Sequence, residues 1–422
     1  MVRVAILVPN PPVVITAVFT FLIYISCINL YFEKHSTLII HVEIISMRVP
    51  LSEPWISKQD KLMMMRCLNN PQLTDGPILR QFESKFSKVT KSKFAIGVSN
   101  GTQALQLSLI SLGIGKGDEV IIPDLTFVAT ANAVIATGAK PVPVDIIPSL
   151  NISIDSIKEK ISNKTKAVIP VHFAGLACNM NKLSKIAKKH NLFIVEDCAH
   201  AFGTYLDKKH VGTFGDMGCF SFYPTKNITT VEGGMIITNS KKLSKKLYSL
   251  RNHGLTKNLI QRDKNTKPWD YDIKDPGHNF RLDEIRSSLG LSQLKRFNII
   301  RSKRIAAAKY YNKKLKNIPG INIVNLSDEK FHAYHLYIIR IKEESKNSRD
   351  ELHKKLFQKG IKTTVHYKPL HMFSSFKKYN IKDSKFLESS LAFKECLSLP
   401  LFPTISQKQQ DYVIKNVKKL TE

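Results

Sequence analysis

The stretch Leu192-Phe193-Ile194-Val195-Glu196-Asp197 decides how the chain folds. Four apolar residues run without a polar break and end on two carboxylates. A strand wetted on one face alternates apolar and polar residues. An unbroken run suits a strand covered on both faces, as in a parallel sheet between helices. Working outward, strand-like runs recur at 119–123, 141–145, 167–171, 218–222 and 234–238. Helical periodicity separates the earlier ones, which is the pattern of an α/β fold with a mostly parallel sheet. Upstream, helices are expected near 57–67 and 77–89, and another opens at the turn Ser99-Asn100-Gly101-Thr102. A long helical stretch from Leu282 to about Asn317 reads as a bridge. Beyond it, strands near 321–324 and 335–341 alternate with helices near 348–359, 384–395 and 407–420, the pattern of a smaller C-terminal α/β domain.

With 422 residues, 43% of them hydrophobic, the chain can bury the cores of a large catalytic domain and a smaller one. The expected division is 1–46, a hydrophobic extension; 47–295, the large domain; and 296–422, the small domain. Cys27, Cys67, Cys178, Cys198, Cys219 and Cys396 form no CxxC pair. Their spacing suits neither a zinc site nor a disulfide framework, and no metal is expected. A reduced, cytoplasmic setting is the simplest reading. The net charge of +30 would suit a polyanion or an acidic membrane. The lysines recur at helical spacing, as at Lys182, Lys185 and Lys189, which reads as a solvated coat, and no nucleic-acid-binding motif accompanies them.

Residues 1–46 stand apart. Val13–Phe32 (VVITAVFTFLIYISCINLYF) carries no charge and is long enough to cross a bilayer once. It reads as a membrane anchor, or as sequence upstream of a true start at Met47. A secretory signal fits less well, because the apolar run is too long and no small-residue cleavage site follows.

Four features carry chemistry. Lys226, in Ser221-Phe222-Tyr223-Pro224-Thr225-Lys226, follows an apolar strand and precedes Glu232-Gly233-Gly234. A lysine desolvated there can act as a nucleophilic amine, although a lone lysine after a strand is more often structural. Asp197 ends its strand where open α/β sheets bind ligands. It could hold a proton on the pyridine nitrogen of pyridoxal phosphate (PLP), or cap a helix. Ser99-Asn100-Gly101-Thr102 offers the unpaired N–H groups of a helix start to a phosphate. Phe127 could cover a planar ring or sit in the core. Each signal is weak alone, and their order along the chain is the one a PLP site requires.

With these motifs the chain resembles the DegT/DnrJ/EryC/StrS family of PLP-dependent aminotransferases, which act mainly on nucleotide-linked keto sugars. The likeness spans roughly residues 47–420 and includes PLSEPWI, VSNGTQALQLSL, DLTFVATANAV, IVEDCAHAFG, GCFSFYPTKNITTVEGGMI, GHNFRLDEIRSSLGLSQL and VHYKPLH. It implies a fold-type I aminotransferase with a seven-stranded, mostly parallel sheet, working as a homodimer with shared active sites. By the same resemblance Lys226 is the Schiff-base lysine and Asp197 the partner of the pyridine nitrogen. His200 lies near the cofactor's phenolic oxygen, and Phe127 stacks on the ring. Gly101, Thr102 and Ser221 contact the phosphate, and Asn252 reaches it from the partner subunit. His366, Tyr367 and His371 are candidates for the acceptor pocket. The implied reaction moves an amino group from an amino acid, L-glutamate being the expected donor, to a nucleotide-linked 4-keto-6-deoxy sugar, for polysaccharide or glycan biosynthesis. The competing readings are a PLP enzyme on a different keto acceptor and a non-catalytic regulatory or nucleic-acid-binding protein on the same fold. One departure stands out: Val231 occupies a position usually held by Gly, where a branched side chain could crowd the backbone near Lys226.

Overall fold

The computed structural model describes residues 47–256, 267, 269–324, 331–379 and 386–422, with only the backbone at 377 and 378, together with the backbone of 30–32 and 38–40. The chain divides into two compact units, Met1–Arg48 and Val49–Glu422. In the first, Leu30–Phe32 pairs antiparallel with Leu38–Ile40. Most of the apolar run at 13–32 lies outside the described residues. Among the described residues no helix is long and apolar enough to cross a membrane.

The second unit is built on a seven-stranded sheet. Its strands are β1 (Phe94–Val98), β2 (Glu119–Pro123), β3 (Lys140–Val144), β4 (Thr165–Val168), β5 (Phe193–Asp197), β6 (Met217–Ser221) and β7 (Gly234–Thr238). They lie in the order β1-β7-β6-β5-β4-β2-β3, and only β7 runs antiparallel to its neighbours. Six of these match the apolar runs. The seventh, β1, is an edge strand with a glycine in it, FAIGV, and its local pattern is correspondingly weak.

Both faces of the sheet are covered, as the unbroken apolar runs require. Val120 and Ile122 of β2 pack into the cluster formed with helices α3 (Gly101–Ser111), α4 (Ala129–Ile135) and α7 (Lys241–Arg251). Ile121, between them, points the other way, toward α5 (Ile154–Lys160) and α6 (Met180–Lys189). On that second side α2 (Pro77–Thr90) and α8 (Glu284–Lys295) bury Phe82, Phe86, Leu291 and Leu294 against Phe220 and Ile237. Helix α6 turns Leu183 and Ala187 inward and exposes Lys182, Lys185 and Lys189, the lysine coat read from its spacing. The described cysteines, Cys67, Cys178, Cys198, Cys219 and Cys396, are all free and buried.

The single bridging helix expected over 282–317 is broken. Helix α8 ends at Lys295, Arg296 leaves helical geometry at φ −113°, ψ 14°, and α9 runs from Phe297 to Leu315. Side chains on both sides of the break explain it. The Arg296 guanidinium lies 4.4 Å over the Trp55 ring and pairs with the buried Asp60 carboxylate. Phe297 is buried 4.2 Å from the Phe202 ring. A continuous helix would present these adjacent residues about 100° apart, at the spacing of 3.6 residues per turn.

A separate antiparallel sheet lies beyond α9: β8 (Ile321–Ile323), β9 (Tyr337–Ile341) and β10 (Cys396–Leu399), in the order β8-β9-β10. Helices α10 (Arg349–Gln358), α11 (Leu387–Glu395) and α12 (Gln407–Thr421) accompany it. β10 extends the expected pattern by one strand.

Candidate active site

The carboxyl ends of β1, β2, β5 and β6 lie at one end of the sheet, where open α/β sheets bind ligands. Register places Cys219 beside Asp197, so the residues following β6 emerge next to the end of β5.

Asp197 is buried. Its Oδ1 accepts the Ala199 N–H at 3.1 Å and its Oδ2 accepts the Thr130 hydroxyl at 2.9 Å. Thr130 is in turn 2.8 Å from the Thr126 hydroxyl. Burial pushes the Asp197 carboxyl pKa up, and these two hydrogen bonds and the nearby Lys226 charge oppose that shift. An ionised carboxylate offers about four acceptor positions, so capacity is left for a further donor.

Lys226 sits in a tight turn, its N–H donating to the Tyr223 carbonyl at 2.8 Å. The next residue anchors that turn: the Asn227 amide donates to the carbonyls of Phe202 and Ala333. Burial lowers the Lys226 pKa to about 8, against the pull of the Asp197 charge. Such an amine is about one-tenth uncharged at pH 7, far more than an ordinary lysine, and that fraction can attack a carbonyl.

A wall of neutral rings faces this pair. His200 Nδ1 accepts the Ala174 N–H, which leaves the ring proton on Nε2, 3.0 Å from the Tyr367 hydroxyl. The Tyr367 oxygen is thus an acceptor and its own proton is free to be donated. His200 lies against His335, with ring centroids 4.3 Å apart. Burial drives the pKa of both rings well down, and Lys226 adds to the effect. His366 is held by Ser398 at 2.8 Å, and burial lowers its pKa to about 3. Phe127 opens the turn into α4 and is 55% exposed, so it is not a core residue. Its ring lies 5.5 Å from that of Tyr367.

The phosphate turn is built as the sequence suggests. Asn100 caps α3 by accepting the Gln103 N–H at 2.9 Å. The Gly101 and Thr102 N–H groups belong to the first turn, which has no intrahelical acceptor for them. A Cβ on Gly101 would lie 2.8 Å from Ser221 Cβ, so only glycine lets the helix start approach β6 this closely. The cradle, the buried carboxylate with spare capacity, the amine and the exposed aromatic together fit PLP.

Two other expected residues are held by neighbours within this chain. Asn252 is nearly buried at the end of α7, its Oδ1 accepting from Arg281. His371 does not line an open pocket. Its Nδ1 is 2.6 Å from the buried Asp124 carboxylate, Nε2 is 3.3 Å from Ser390 Oγ, and its ring is stacked on Phe386 at 5.0 Å. Every polar atom and one face of the ring are spoken for. Thr130, His335 and Asp124 were not singled out from sequence, although Thr126 and Thr130 sit at helical i, i+4 spacing in LTFVAT. Val231 adopts φ +70°, a strained conformation for a branched residue, and its side chain is 54% exposed.

Among the described residues, His172, Glu196 and Cys198 bring possible ligand atoms within 4.8 Å of one another. The cluster is already saturated. Glu196 accepts the N–H groups of Gly212, Phe214 and Gly215, each at 2.7 Å, and meets His172 Nε2 at 3.0 Å. The other nitrogen of His172 accepts the Cys178 N–H.

Comparison with known proteins shows the family. The DegT/DnrJ/EryC1/StrS aminotransferase family profile matches residues 54–418. The chain belongs to this family. It is a PLP-dependent aminotransferase with the fold-type I architecture. It is 34% identical to GDP-perosamine synthase of Escherichia coli O157:H7, over 87% of this chain and 97% of that protein. Among solved structures it resembles Helicobacter pylori PseC, an aminotransferase involved in the biosynthesis of pseudoaminic acid. The TM-score is 0.83 at 31% identity, covering 89% of this chain and 99% of that one. It also resembles a Streptococcus pneumoniae protein solved in a pyridoxamine-phosphate form, with TM-score 0.84 at 29% identity over 89% and 99%.

Proposed function

We propose that this aminotransferase moves an amino group from L-glutamate to the ketone of a nucleotide-linked 4-keto-6-deoxy sugar, for polysaccharide or glycan biosynthesis. The observation that carries the chemistry is Lys226, an amine with a pKa lowered to about 8, beside a buried carboxylate with spare acceptor capacity. The keto-sugar acceptor is supported by the likeness to GDP-perosamine synthase and PseC.

PLP, when bound, supplies the electron sink that lets an amino group pass between an amino acid and a ketone. The residues of the chain do the rest. Lys226 would hold the cofactor covalently and, once released, carry a proton as general base and then acid. Asp197 would keep a proton on the pyridine nitrogen. Gly101, Thr102 and Ser221 would bind the phosphate, Phe127 would cover one face of the ring, and His200 would lie near the phenolic oxygen. Tyr367 and His366 would border the acceptor. We place the large domain at 47–295 and the small one at 296–422. The working unit we propose is a homodimer, supported by the exposed apolar side chains Met65 and Leu68 on helix α1 (Lys58–Leu68) and Trp269 and Ile273 in the loop before α8. Asn252 would serve the partner's phosphate.

The test is turnover of the full chain with PLP and L-glutamate on a panel of nucleoside-diphosphate 4-keto-6-deoxyhexoses. Mass spectrometry should detect an aminated sugar. Consumption of glutamate by the bound cofactor with no panel member aminated would contradict the proposed acceptor.

A further inference from the structure

Asp124 directly follows β2 and is wholly buried. Its backbone N–H donates to Val144 at 2.8 Å, and its carbonyl accepts the Leu370 N–H at 2.9 Å. Its carboxylate grips His371 twice: Oδ1 accepts the backbone N–H at 3.0 Å, and Oδ2 lies 2.6 Å from Nδ1. Asp145, just past the end of the neighbouring strand β3, makes a parallel grip on α11. Its carboxylate accepts the N–H groups of Glu388 and Ser389, each at 2.9 Å, and the Ser389 hydroxyl at 2.7 Å. The two grips converge on one histidine, because Ser390, next to Ser389, meets the far nitrogen of His371.

This lies outside the cleft but is joined through the chain to two of its walls. Asp124 is three residues before Phe127, and His371 is four residues after Tyr367. Phe127 and Tyr367 meet ring to ring, and Tyr367 carries the hydrogen bond to His200. The path Asp124, Phe127, Tyr367, His371 and back to Asp124 is therefore a closed ring of covalent and non-covalent links. Burying a carboxylate is costly unless it is hydrogen-bonded, and the His371 ring satisfies it from Nδ1 while Nε2 lies 3.3 Å from the Ser390 hydroxyl. A generic apolar contact would fill the same space without fixing both distance and direction.

We propose that Asp124 and His371 are a positioning pair, which sets Tyr367 against Phe127 and His200 and so fixes the spacing of the cleft wall. Neither residue touches the reacting atoms. The proposal rests on the reading that the cleft between Phe127 and Asp197 holds the cofactor.

The experiment compares wild type, His371→Ala, His371→Asn and Tyr367→Phe, plus the double variant His371→Ala/Tyr367→Phe. Asn can donate to Asp124 from the position of Nδ1. Hydrogen exchange is followed in the full chain without cofactor for peptides spanning 124–130 and 364–372, with 58–68 as a control. His371→Ala should speed exchange in both wall peptides and leave the control unchanged, and His371→Asn should restore protection. With PLP bound, the single-turnover rate with L-glutamate should fall by roughly ten- to a hundredfold in His371→Ala. It should recover in His371→Asn, and fall no further in the double variant than in Tyr367→Phe. Unchanged exchange in the wall peptides, equal loosening of the control, or additive losses in the double variant would overturn the proposal. Failure of wild type to bind PLP would instead strike the cofactor reading, and the exchange data would still decide the positioning pair.

Discussion

Two carboxylates stand side by side at the end of β5 and do opposite things. Successive residues of a strand face opposite sides of the sheet. Glu196 therefore faces the loop at 212–215 and Asp197 faces the cleft. Glu196 is saturated, with three backbone N–H groups and His172 around it. Asp197 has one backbone N–H and the Thr130 hydroxyl. Both are buried, so burial does not tell a working carboxylate from a structural one. Unused acceptor capacity does, together with a lysine whose charge is near enough to be felt.

This contrast can be broken by exchanging each acid for its amide. Asp197→Asn should leave thermal stability nearly unchanged and slow the glutamate half-reaction by on the order of a hundredfold or more, since it removes charge aimed at the reacting system. Stopped-flow absorption of the bound cofactor measures this. Glu196→Gln should do the reverse. It sets an amide NH2 against backbone donors and leaves buried groups unsatisfied, at a cost of about 1–3 kcal/mol. Denaturant unfolding should show the loss, with the rate little changed. If both variants lost rate equally with no change in stability, the two sides of the strand would not be distinct.

The pH dependence sharpens the cleft side. The folded Lys226 pKa, about 8, lies below the ordinary 10.5. The uncharged fraction, and with it the rate at which the cofactor-free protein captures PLP, should rise with pH and level off above about 8. The sign for stability follows: the cost of burying the charged amine is fully present below about 8 and is lifted as pH rises toward 10.5. A capture rate that keeps climbing to pH 10 would mean an ordinary, solvated lysine.

The smallest effect concerns Val231. Relief of its positive φ would stabilise Val231→Gly by about 1–3 kcal/mol. The greater freedom of glycine in the unfolded chain offsets about 0.4–1 kcal/mol of that. A modest rise in melting temperature is expected, and a fall would show that the Val231 side chain makes contacts that outweigh its strain.

Much of this site was legible before the fold was known, for a physical reason. Lys226, Asp197 and the Gly101 turn each sit where an apolar run stops, and parallel strands end together in space. Phe127 was ambiguous between ring cover and core, and its exposure rules out the core. What escaped were features set by contacts distant in sequence. The break at Arg296 depends on Trp55 and Asp60, and the burial of His371 depends on Asp124, 247 residues away. Nothing in VHYKPLH distinguishes a pocket histidine from one clamped by a carboxylate. Strand β1 escaped because Gly97 breaks its apolar run.

The most direct test of the account is the absorption spectrum of the full chain with PLP, before and after L-glutamate, beside Lys226→Ala. The account predicts a visible band from lysine-bound cofactor that shifts to the pyridoxamine form on adding glutamate and is missing in Lys226→Ala. A wild-type chain with no such band, or a band that persists in Lys226→Ala, would contradict it.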